Sequence, residues 1–372
     1  MNHFRHLPRI TVLLVCCVMF STQSRALDHP AGMHPQAQLD FVKQQIKTKK
    51  QPYLNAFNQL MVRADSALLI NQHAIEDFAI PGFYVKKEEH RQRSLALQVD
   101  GFSAYSCALA WQLTGKSKYA DKSIYFLNAW ASINKKYSEN DGPLVMSYSG
   151  TTMLMAAELM RNYKKWTPSQ QHVFAGWVRN VVNKASHKIR DGKNNWADWG
   201  RLSSLLADCY LDDKADIQTV SSMIKADLFN KIAPDGHMVE EVKREGNSIW
   251  YTYFSLAPLT ASCWVIYNTT GENLFKLEQG GTSIKKALDY LLYYNAHPDE
   301  WTWFKNPATG NVNTAVGFWP ANLMEAMRNV YHDDKYDAYV APYRPIMYTR
   351  HDYAWTYPTL FPLSLDNYKD QK

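Results

Sequence analysis

The stretch GFSAYSCALAWQLTGKSKYADKSIYFLNAWASI, residues 101–133, contains two apolar segments with helical spacing and a short break between them. Residues 101–114 form the first segment, and residues 118–133 form the second. Only Gly115-Lys116-Ser117 separates them, and a connection of that length places two helices side by side in opposite directions. The stretch therefore predicts an antiparallel helical hairpin.

The same spacing of apolar residues recurs along most of the chain. Thr167-Pro168 supplies one further helix start, because an N-cap residue is followed there by a proline at the first helical position. Alternating runs of β-branched residues are almost absent, and no repeat of fixed length is visible, which argues against a regular solenoid. The sequence predicts an all-α fold, an (α/α) toroid or incomplete barrel of helical hairpins. The other segments with helical spacing are residues 36–69, 151–163, 196–211, 216–232, 246–267, 283–294 and 318–331.

The N-terminus has the features of a secretory signal peptide. Arg5 and Arg9 precede an apolar run at residues 10–20, and a polar stretch then ends in Ser24-Arg25-Ala26. The run is too short to cross a bilayer, which takes roughly 20 apolar residues as helix. We therefore expect residues 1–26 to be removed, residues 27–372 to form a single α/α-toroid domain, and the mature protein to be periplasmic or secreted without a membrane anchor.

Charge and cysteine content exclude several classes of function. Removal of the signal takes away three arginines and no acids, so 41 basic and 35 acidic residues become 38 and 35. This balance is too even to predict a nucleic-acid partner. Cys107, Cys209 and Cys263 remain in apolar helical patterns, which predicts buried thiols. No metal-binding or nucleotide-binding motif is present, so no cofactor or metal site is predicted, and the oligomeric state is left open.

Aromatic residues are frequent, with 12 Trp and 23 Tyr. Most of them are expected to fill the core. Several lie in segments that look like loops or helix ends, where an exposed ring would suit the apolar face of a sugar. These residues are Trp301, Trp303, Trp319, Tyr353, Trp355 and Tyr357.

Two segments concentrate polar residues that could carry chemistry, KNNWADWGR (residues 193–201) and EEVKREGNSIWYTY (residues 240–253). The first places amides at a helix start, where free backbone N–H groups can meet a carboxylate. In the second, Arg244 and Tyr251 are seven residues apart, so on a helix they share one face about 10 Å apart along the axis. Gly246 makes a helix start near Asn247 more favourable.

These segments resemble the two active-site motifs of the alginate lyases of the α/α-toroid type. In that family an Asn-Asn-His-x-x-Trp helix start is followed some distance later by a Lys-Arg…Tyr helix that runs into an Ala-Leu-x-Pro-Leu stretch. Here the first motif is Asn194-Asn195-Trp196-Ala197-Asp198-Trp199. The second is Lys243-Arg244, then Tyr251, then Ser255-Leu256-Ala257-Pro258-Leu259.

The resemblance implies a polysaccharide lyase that cleaves a polyuronate, polymannuronate (alginate) or glucuronan, by β-elimination. In that case Asn195 and Arg244 neutralise the carboxylate next to C5, and Tyr251 is the base, the acid or both. The substrate would be an anionic polysaccharide. The candidates for substrate binding around these residues are Asn194, Trp196, Trp199, Lys243, Trp250 and Trp319.

One position departs from the family pattern, because Trp196 stands where the family has His. In mannuronate and glucuronate the C5 proton and O4 lie on the same face, so one tyrosine could serve both proton transfers. Guluronate would need a second group on the opposite face. The sequence thus favours polymannuronate or glucuronan as the substrate. Alternatively, His237 could take the role of the His that the family has in place of Trp196.

Other interpretations stay open. Asn195 could merely cap a helix, Arg244 could pair with Glu240 or Glu241, and Tyr251 could be a core residue. A glycoside hydrolase on a similar toroid would use two carboxylates as acid and base or nucleophile. A non-catalytic periplasmic polysaccharide-binding protein is the third hypothesis. The carboxylates available to a hydrolase are Asp198, Asp235, Glu240 and Glu241.

Overall fold

The computed structural model describes residues 27–310, 318–350 and 352–369. Helices dominate this part of the chain, and the only strands in it are two short pairs. The helices are α1 (Gln36–Lys47), α2 (Tyr53–Ala67), α3 (Lys87–Thr114), α4 (Ser117–Ile133), α5 (Gly142–Met160), α6 (Pro168–Trp177), α7 (Asn183–Ile189), α8 (Asn195–Leu211), α9 (Lys214–Lys231), α10 (Ser248–Thr270), α11 (Ile284–Ala296), α12 (Ala321–Tyr331) and α13 (Asp334–Val340).

Four long helices, α3, α5, α8 and α10, pack against one another in that order and form an inner layer. The helices between them in sequence lie outside, with α4 against α3, α7 and α9 against α8, and α11 against α10. Every residue of α5 is buried, as expected for a helix enclosed on all sides. The predicted all-α fold of stacked helical hairpins is therefore confirmed.

The hairpin predicted at residues 101–133 is present, with Gly115 at φ 70° closing α3 before α4 begins. The Ser123 hydroxyl donates to the Ala104 carbonyl at 2.9 Å and ties the two helices together. However, α3 begins at Lys87 rather than at residue 101. Its first turns carry charged, mostly solvent-facing residues, so no apolar pattern marks them in the sequence.

The strands are only two or three residues long and lie within the connections between helices. β1 (Asp77–Ala79) pairs in parallel with β2 (Lys136–Ser138), and β3 (Glu278–Gln279) pairs antiparallel with β4 (Thr282–Ser283). The loop from β1 to α3 reaches the start of α10, where the Tyr84 and Tyr251 hydroxyl oxygens are 2.6 Å apart. The start of α8 is joined to the turn before α10 by hydrogen bonds from Asn195 to Glu241. Those two helix starts lie side by side and carry the two polar segments.

Among the described residues, Cys107, Cys209 and Cys263 are buried free thiols, as predicted. None of the described helices combines the length and apolar character that a bilayer-spanning helix needs. The predicted signal peptide, residues 1–26, lies outside the described residues, and the extent of a single domain over residues 27–372 stays a prediction.

A buried ion pair joins three helices behind the site. Lys231 at the end of α9 donates to Asp198 of α8 at 2.6 Å, and the Ser255 hydroxyl of α10 donates to the other oxygen of the same carboxylate. Both ionic side chains are almost fully buried, 5% and 0% exposed. An unpaired carboxylate in that position would be costly because no water replaces the lost partner.

We predict that Lys231→Ala lowers the free energy of unfolding by about 3–5 kcal/mol, because it strands the Asp198 carboxylate. Lys225→Ala is the matched control. Lys225 also pairs with a carboxylate at 2.6 Å, that of Glu272, but both partners are more than a third exposed, so the loss should be about 0–1 kcal/mol. Urea denaturation of the two variants measures the difference, and equal losses would contradict the assigned role of burial.

Candidate active site

Arg244 and Tyr251 are in direct contact. Arg244 lies in the turn before the 3₁₀ segment Glu245–Asn247, and Tyr251 lies in the first turn of α10. The guanidinium carbon of Arg244 is 4.2 Å from the centroid of the Tyr251 ring. The helix starts at Ser248, close to the predicted Asn247, so the two residues meet through the turn and not along a helix face.

Tyr84 completes this cluster and was not predicted from the sequence. Its hydroxyl is 2.6 Å from the Tyr251 hydroxyl and accepts a long hydrogen bond from Arg244 Nη2 at 3.5 Å. Tyr84 lies in the loop between β1 and α3, and its side chain is 66% exposed. No local motif marks the residue, because its partner is 167 positions away in the sequence.

The loop that carries Tyr84 is anchored by two buried groups. The backbone N–H of Phe83 donates to the Asp141 carboxylate at 2.8 Å, and His90 Nδ1 is 2.9 Å from the Pro81 carbonyl oxygen. Although burial alone would raise the pKa of Asp141, the hydrogen bonds from His90, Phe83 and Asn140 hold it below its ordinary value. An ionised Asp141 thus fixes the loop over Tyr251.

Burial raises the pKa of Tyr251 well above that of a free tyrosine, and the hydrogen bond with Tyr84 adds to the rise. Arg244 opposes this shift but does not overcome it. Tyr251 is therefore a neutral phenol at rest, and either hydroxyl group can donate the hydrogen bond that joins it to Tyr84.

Asn195 is held by a buried carboxylate. Its backbone N–H donates to Glu241 Oε1 at 2.6 Å, and its Nδ2 donates to Glu241 Oε2 at 2.8 Å. The residue that caps α8 is instead Asn194, whose Oδ1 accepts from the Trp196 N–H at 3.1 Å. The alternative in which Asn195 is merely a cap is thus wrong, but its side chain is only 1% exposed.

The carboxylates near Arg244 have other partners. Glu240 accepts from Lys243 at 2.8 Å, and both oxygens of Glu241 are bound to Asn195. Among the described contacts, Arg244 therefore pairs with neither Glu240 nor Glu241, and that alternative is wrong. The Arg244 guanidinium therefore lies over the Tyr251 ring without a carboxylate partner among the described residues.

The remaining substrate-binding candidates fall into two groups. Trp196 and Asn194 line a surface cavity of about 470 Å³, Trp250 is half-buried and stacks on Phe254 at 4.6 Å, and Lys243 is exposed. Trp199 and Trp319 differ, because their rings are 0% and 6% exposed. Both belong to the core, where they pack on Phe254 and Tyr253, respectively, so neither presents a face to a substrate.

The expectation of exposed aromatic rings in the C-terminal third is mostly wrong. Only Trp303, at 44%, is exposed. The other members of the set fill the core because the loops that carry them fold inward. These residues are Trp301, Trp319, Tyr353, Trp355 and Tyr357.

His237 is held away from the cluster of Arg244, Tyr251 and Tyr84. Its Nδ1 is 2.7 Å from an Asp235 oxygen, and its ring packs on Trp303 with a centroid separation of 4.7 Å. None of the described contacts of His237 reaches the cluster.

The model of the alginate lyase family matches residues 38–301, about 71% of the chain. The chain belongs to the alginate lyase family. The matched range includes Tyr84, Asn195, Arg244 and Tyr251, and membership makes the protein a polysaccharide lyase, as the sequence predicts. A comparison with curated protein sequences gives no match.

Solved alginate lyases share the fold. An alginate lyase from Bacteroides ovatus superposes with a TM-score of 0.68 at 20% identity, over 85% of this chain and 96% of that chain. Alginate lyase A1-III from Sphingomonas species A1 gives 0.72 at 16% identity, over 91% and 97%. A variant of alginate lyase A1-III complexed with a tetrasaccharide gives 0.73 at 16% identity, over 92% and 98%. The helical hairpins therefore form the predicted α/α toroid.

Glu241 gives this lyase a testable pH signature. Burial raises its pKa from 4.5 to about 7, against the opposing hydrogen bonds from Asn195. Because the folded state keeps a proton that the unfolded state releases, stability falls as pH rises from 4.5 to about 7. The full loss is on the order of 3 kcal/mol.

We predict that the wild type loses stability relative to Glu241→Gln as the pH rises. The difference between their free energies of unfolding should fall by about 3 kcal/mol between pH 5 and pH 8. The comparison with a variant is needed because buried Asp352 and Asp208 also have raised pKa values, about 7 and about 9. Glu240→Gln is the control, and its free energy of unfolding should depend on pH as that of the wild type does. If the stability of Glu241→Gln also shows the wild-type pH dependence, Glu241 is not the titrating group.

Proposed function

We propose that this alginate lyase cleaves a polyuronate, polymannuronate or glucuronan, by β-elimination, with Arg244 and Tyr251 acting on the sugar whose C5 loses a proton. The observation that carries the proposal is the Arg244 guanidinium 4.2 Å over the Tyr251 ring, with both residues next to an exposed loop. A fixed cation beside a phenol is what removal of a proton next to a carboxylate requires.

Arg244 supplies the charge for this step. The C5–H of a uronate is acidic only when its carboxylate is neutralised, since the electron pair from that bond moves toward the carboxylate. Arg244 is half-buried and has no carboxylate partner among the described residues, so its charge is available to a substrate anion. Arginine can bind such an anion through two parallel N–H groups.

Asn195 has a smaller part in the proposal. One N–H of its amide is taken by Glu241, and the second N–H has no acceptor among the described groups. Because the side chain is almost entirely buried, little of it can meet a substrate carboxylate. Arg244 therefore provides most of the neutralisation.

Tyr251 carries the protons. Tyr251 first releases its phenol proton to solvent. The phenolate, next to Arg244 and able to accept from the Tyr84 hydroxyl, then takes the C5 proton; the C4–O4 bond breaks, and the resulting phenol gives the proton to O4. The products are a new reducing end and a sugar with a C4=C5 double bond. Atoms balance, because one proton moves from C5 to O4.

Mannuronate or glucuronate suits one tyrosine better than guluronate does, because C5–H and O4 lie on the same face of these sugars. Trp196 has no basic nitrogen, and His237 is bound to Asp235, so neither supplies a second base in the described conformation. We infer a preference for polymannuronate or glucuronan over polyguluronate.

The two alternatives have less support. A hydrolase would need two carboxylates at the cleft, whereas Asp198 is bound to Lys231 and Ser255, and Glu241 is bound to Asn195, both in the interior. A purely binding protein would have no use for a buried phenol beside a guanidinium. The signal peptide predicted at residues 1–26 supports the further proposal that this lyase is periplasmic or secreted.

Tyr251→Phe should reduce kcat at least a thousandfold and leave the affinity for the polymer within about threefold, because only the proton-transferring oxygen is lost. Tyr267→Phe is the matched control on the same helix. The Tyr267 hydroxyl donates to the Leu365 carbonyl, away from the cluster, so turnover should persist. Steady-state rates and equilibrium binding measure both quantities, and near-normal turnover of Tyr251→Phe would remove Tyr251 from the mechanism.

Arg244→Ala should lower kcat/KM by about 10²–10³, with losses in both kcat and substrate affinity, because the cation meets the carboxylate before and during proton removal. Lys243→Ala is the comparison. The Lys243 ammonium is exposed and already paired with Glu240, so we expect a change of no more than about threefold. Equal effects in the two variants would show that net charge, rather than the position of Arg244, matters.

A further inference from the structure

Three cationic side chains outside the catalytic cluster form a row that has no internal partner. Arg179, Lys184 and Lys188 are exposed, and none of the three side chains forms a hydrogen bond or ion pair with the described residues. We refer to them as the cation row. Many other exposed lysines and arginines of this chain are paired with a carboxylate, such as Lys118 with Asp65 and Lys165 with Asp121.

A π-helical turn aligns the row. The segment from Pro168 to Ile189 is helical without a break, and its central turn, Val178–Val182, is π-helical, with Asn183 N–H bonded to the Val178 carbonyl. In a π turn residues five apart lie above one another, whereas in an α-helix residues four apart do so. Arg179 and Lys184 are five apart, and Lys184 and Lys188 are four apart. The turn therefore brings all three onto one face, over roughly 13 Å.

Two adjoining hollows connect the row with the active site. All three cations line a hollow of about 780 Å³. Lys188 also lines the 470 Å³ cavity that contains Asn194 and Trp196 at the start of α8. The row thus leads along the protein surface from the start of α8, the helix that carries Asn195.

Nearby carboxylates do not cancel the charge of the row. Asp212 is bound to His29 and Arg161, and Asp216 is bound to Arg190. Asp213 caps α9 by accepting the Asp216 N–H and keeps its negative charge, and Asp191 lies in the turn after α7. These two carboxylates offset two of the three cations, so an excess of one positive charge remains.

We propose that the cation row is a second binding surface for the polyuronate, on which the part of the chain that extends beyond the cleft rests. This inference depends on the proposed function for the identity of the ligand. A polymer with one carboxylate on each sugar complements a line of cations. The contact would add affinity for long chains without touching the reacting sugar.

The test compares two triple variants that lose the same charge. Arg179→Ala/Lys184→Ala/Lys188→Ala removes the row, and Lys47→Ala/Lys50→Ala/Lys276→Ala removes three exposed cations that also lack partners among the described residues. Initial rates of elimination are measured on long polymannuronate and on a short oligosaccharide that fills only the cleft.

For the row variant we expect KM on the polymer to rise about tenfold and to depend less on salt, while kcat and the kinetics on the oligosaccharide stay within about twofold. The control variant should match the wild type on both substrates. An unchanged KM on the polymer overturns the proposal. An equal rise in KM on the oligosaccharide also overturns it, because the row would then belong to the cleft.

A binding measurement separates this proposal from the proposed catalytic function. Retardation of Tyr251→Phe in native gels that contain polymannuronate should be lost when the row is also removed, and should persist with the control substitutions. If the wild type shows no elimination but the retardation follows this pattern, the proposed catalytic function is wrong and the proposed binding surface is supported. If elimination occurs and retardation is the same with and without the cation row, only the proposed binding surface is wrong.

Discussion

The pair of hydrogen bonds from Asn195 to the buried Glu241 carboxylate is the contact on which the site depends. It joins the first residue of α8 to the turn that leads into α10, so the two polar segments are held together by one side chain. A carboxylate in the interior is costly unless it is satisfied, and Asn195 supplies two donors to it. The same turn then presents Arg244 three residues later.

The inner helices give this contact its rigidity. Asp198, one turn into α8, is bound to Lys231 and Ser255, so α8, α9 and α10 are locked together by a second buried polar group directly behind the first. The Arg244 guanidinium and the Tyr251 ring are positioned by this frame, whereas Tyr84 comes from a loop anchored separately on Asp141. The chemistry thus combines two groups on a rigid base with one group on a loop.

The helices could largely be predicted from the sequence because their apolar faces are regular and their ends carry recognisable signals, such as Thr167-Pro168 and Gly115. The first half of α3 was missed because its charged residues carry no apolar pattern. Arg244 and Tyr251 were predictable from the resemblance of their segment to the family motif, although they meet through the turn and not along a helix face as their spacing suggests. Tyr84 and Glu241 were not assigned their roles, because each depends on a partner brought close only by the fold.

The burial of individual aromatic residues could not be predicted from the sequence either. A tryptophan has the same side chain whether it faces a sugar or the core, so sequence position alone could not separate half-buried Trp196 from Trp199 or Trp319, which pack inside. The cation row needed the structure for a related reason. Spacings of five and four residues do not share a face in a regular helix, and only the π turn brings Arg179, Lys184 and Lys188 into line.

The central claim is that the chain is cut by elimination at Tyr251. The most direct measurement follows polymannuronate digestion by two readouts at once, the ultraviolet absorbance of the C4=C5 unsaturated uronate and the number of new reducing ends. Elimination predicts one unsaturated end for each new reducing end throughout the digestion. Reducing ends that form without the absorbance would contradict the account and would indicate hydrolysis.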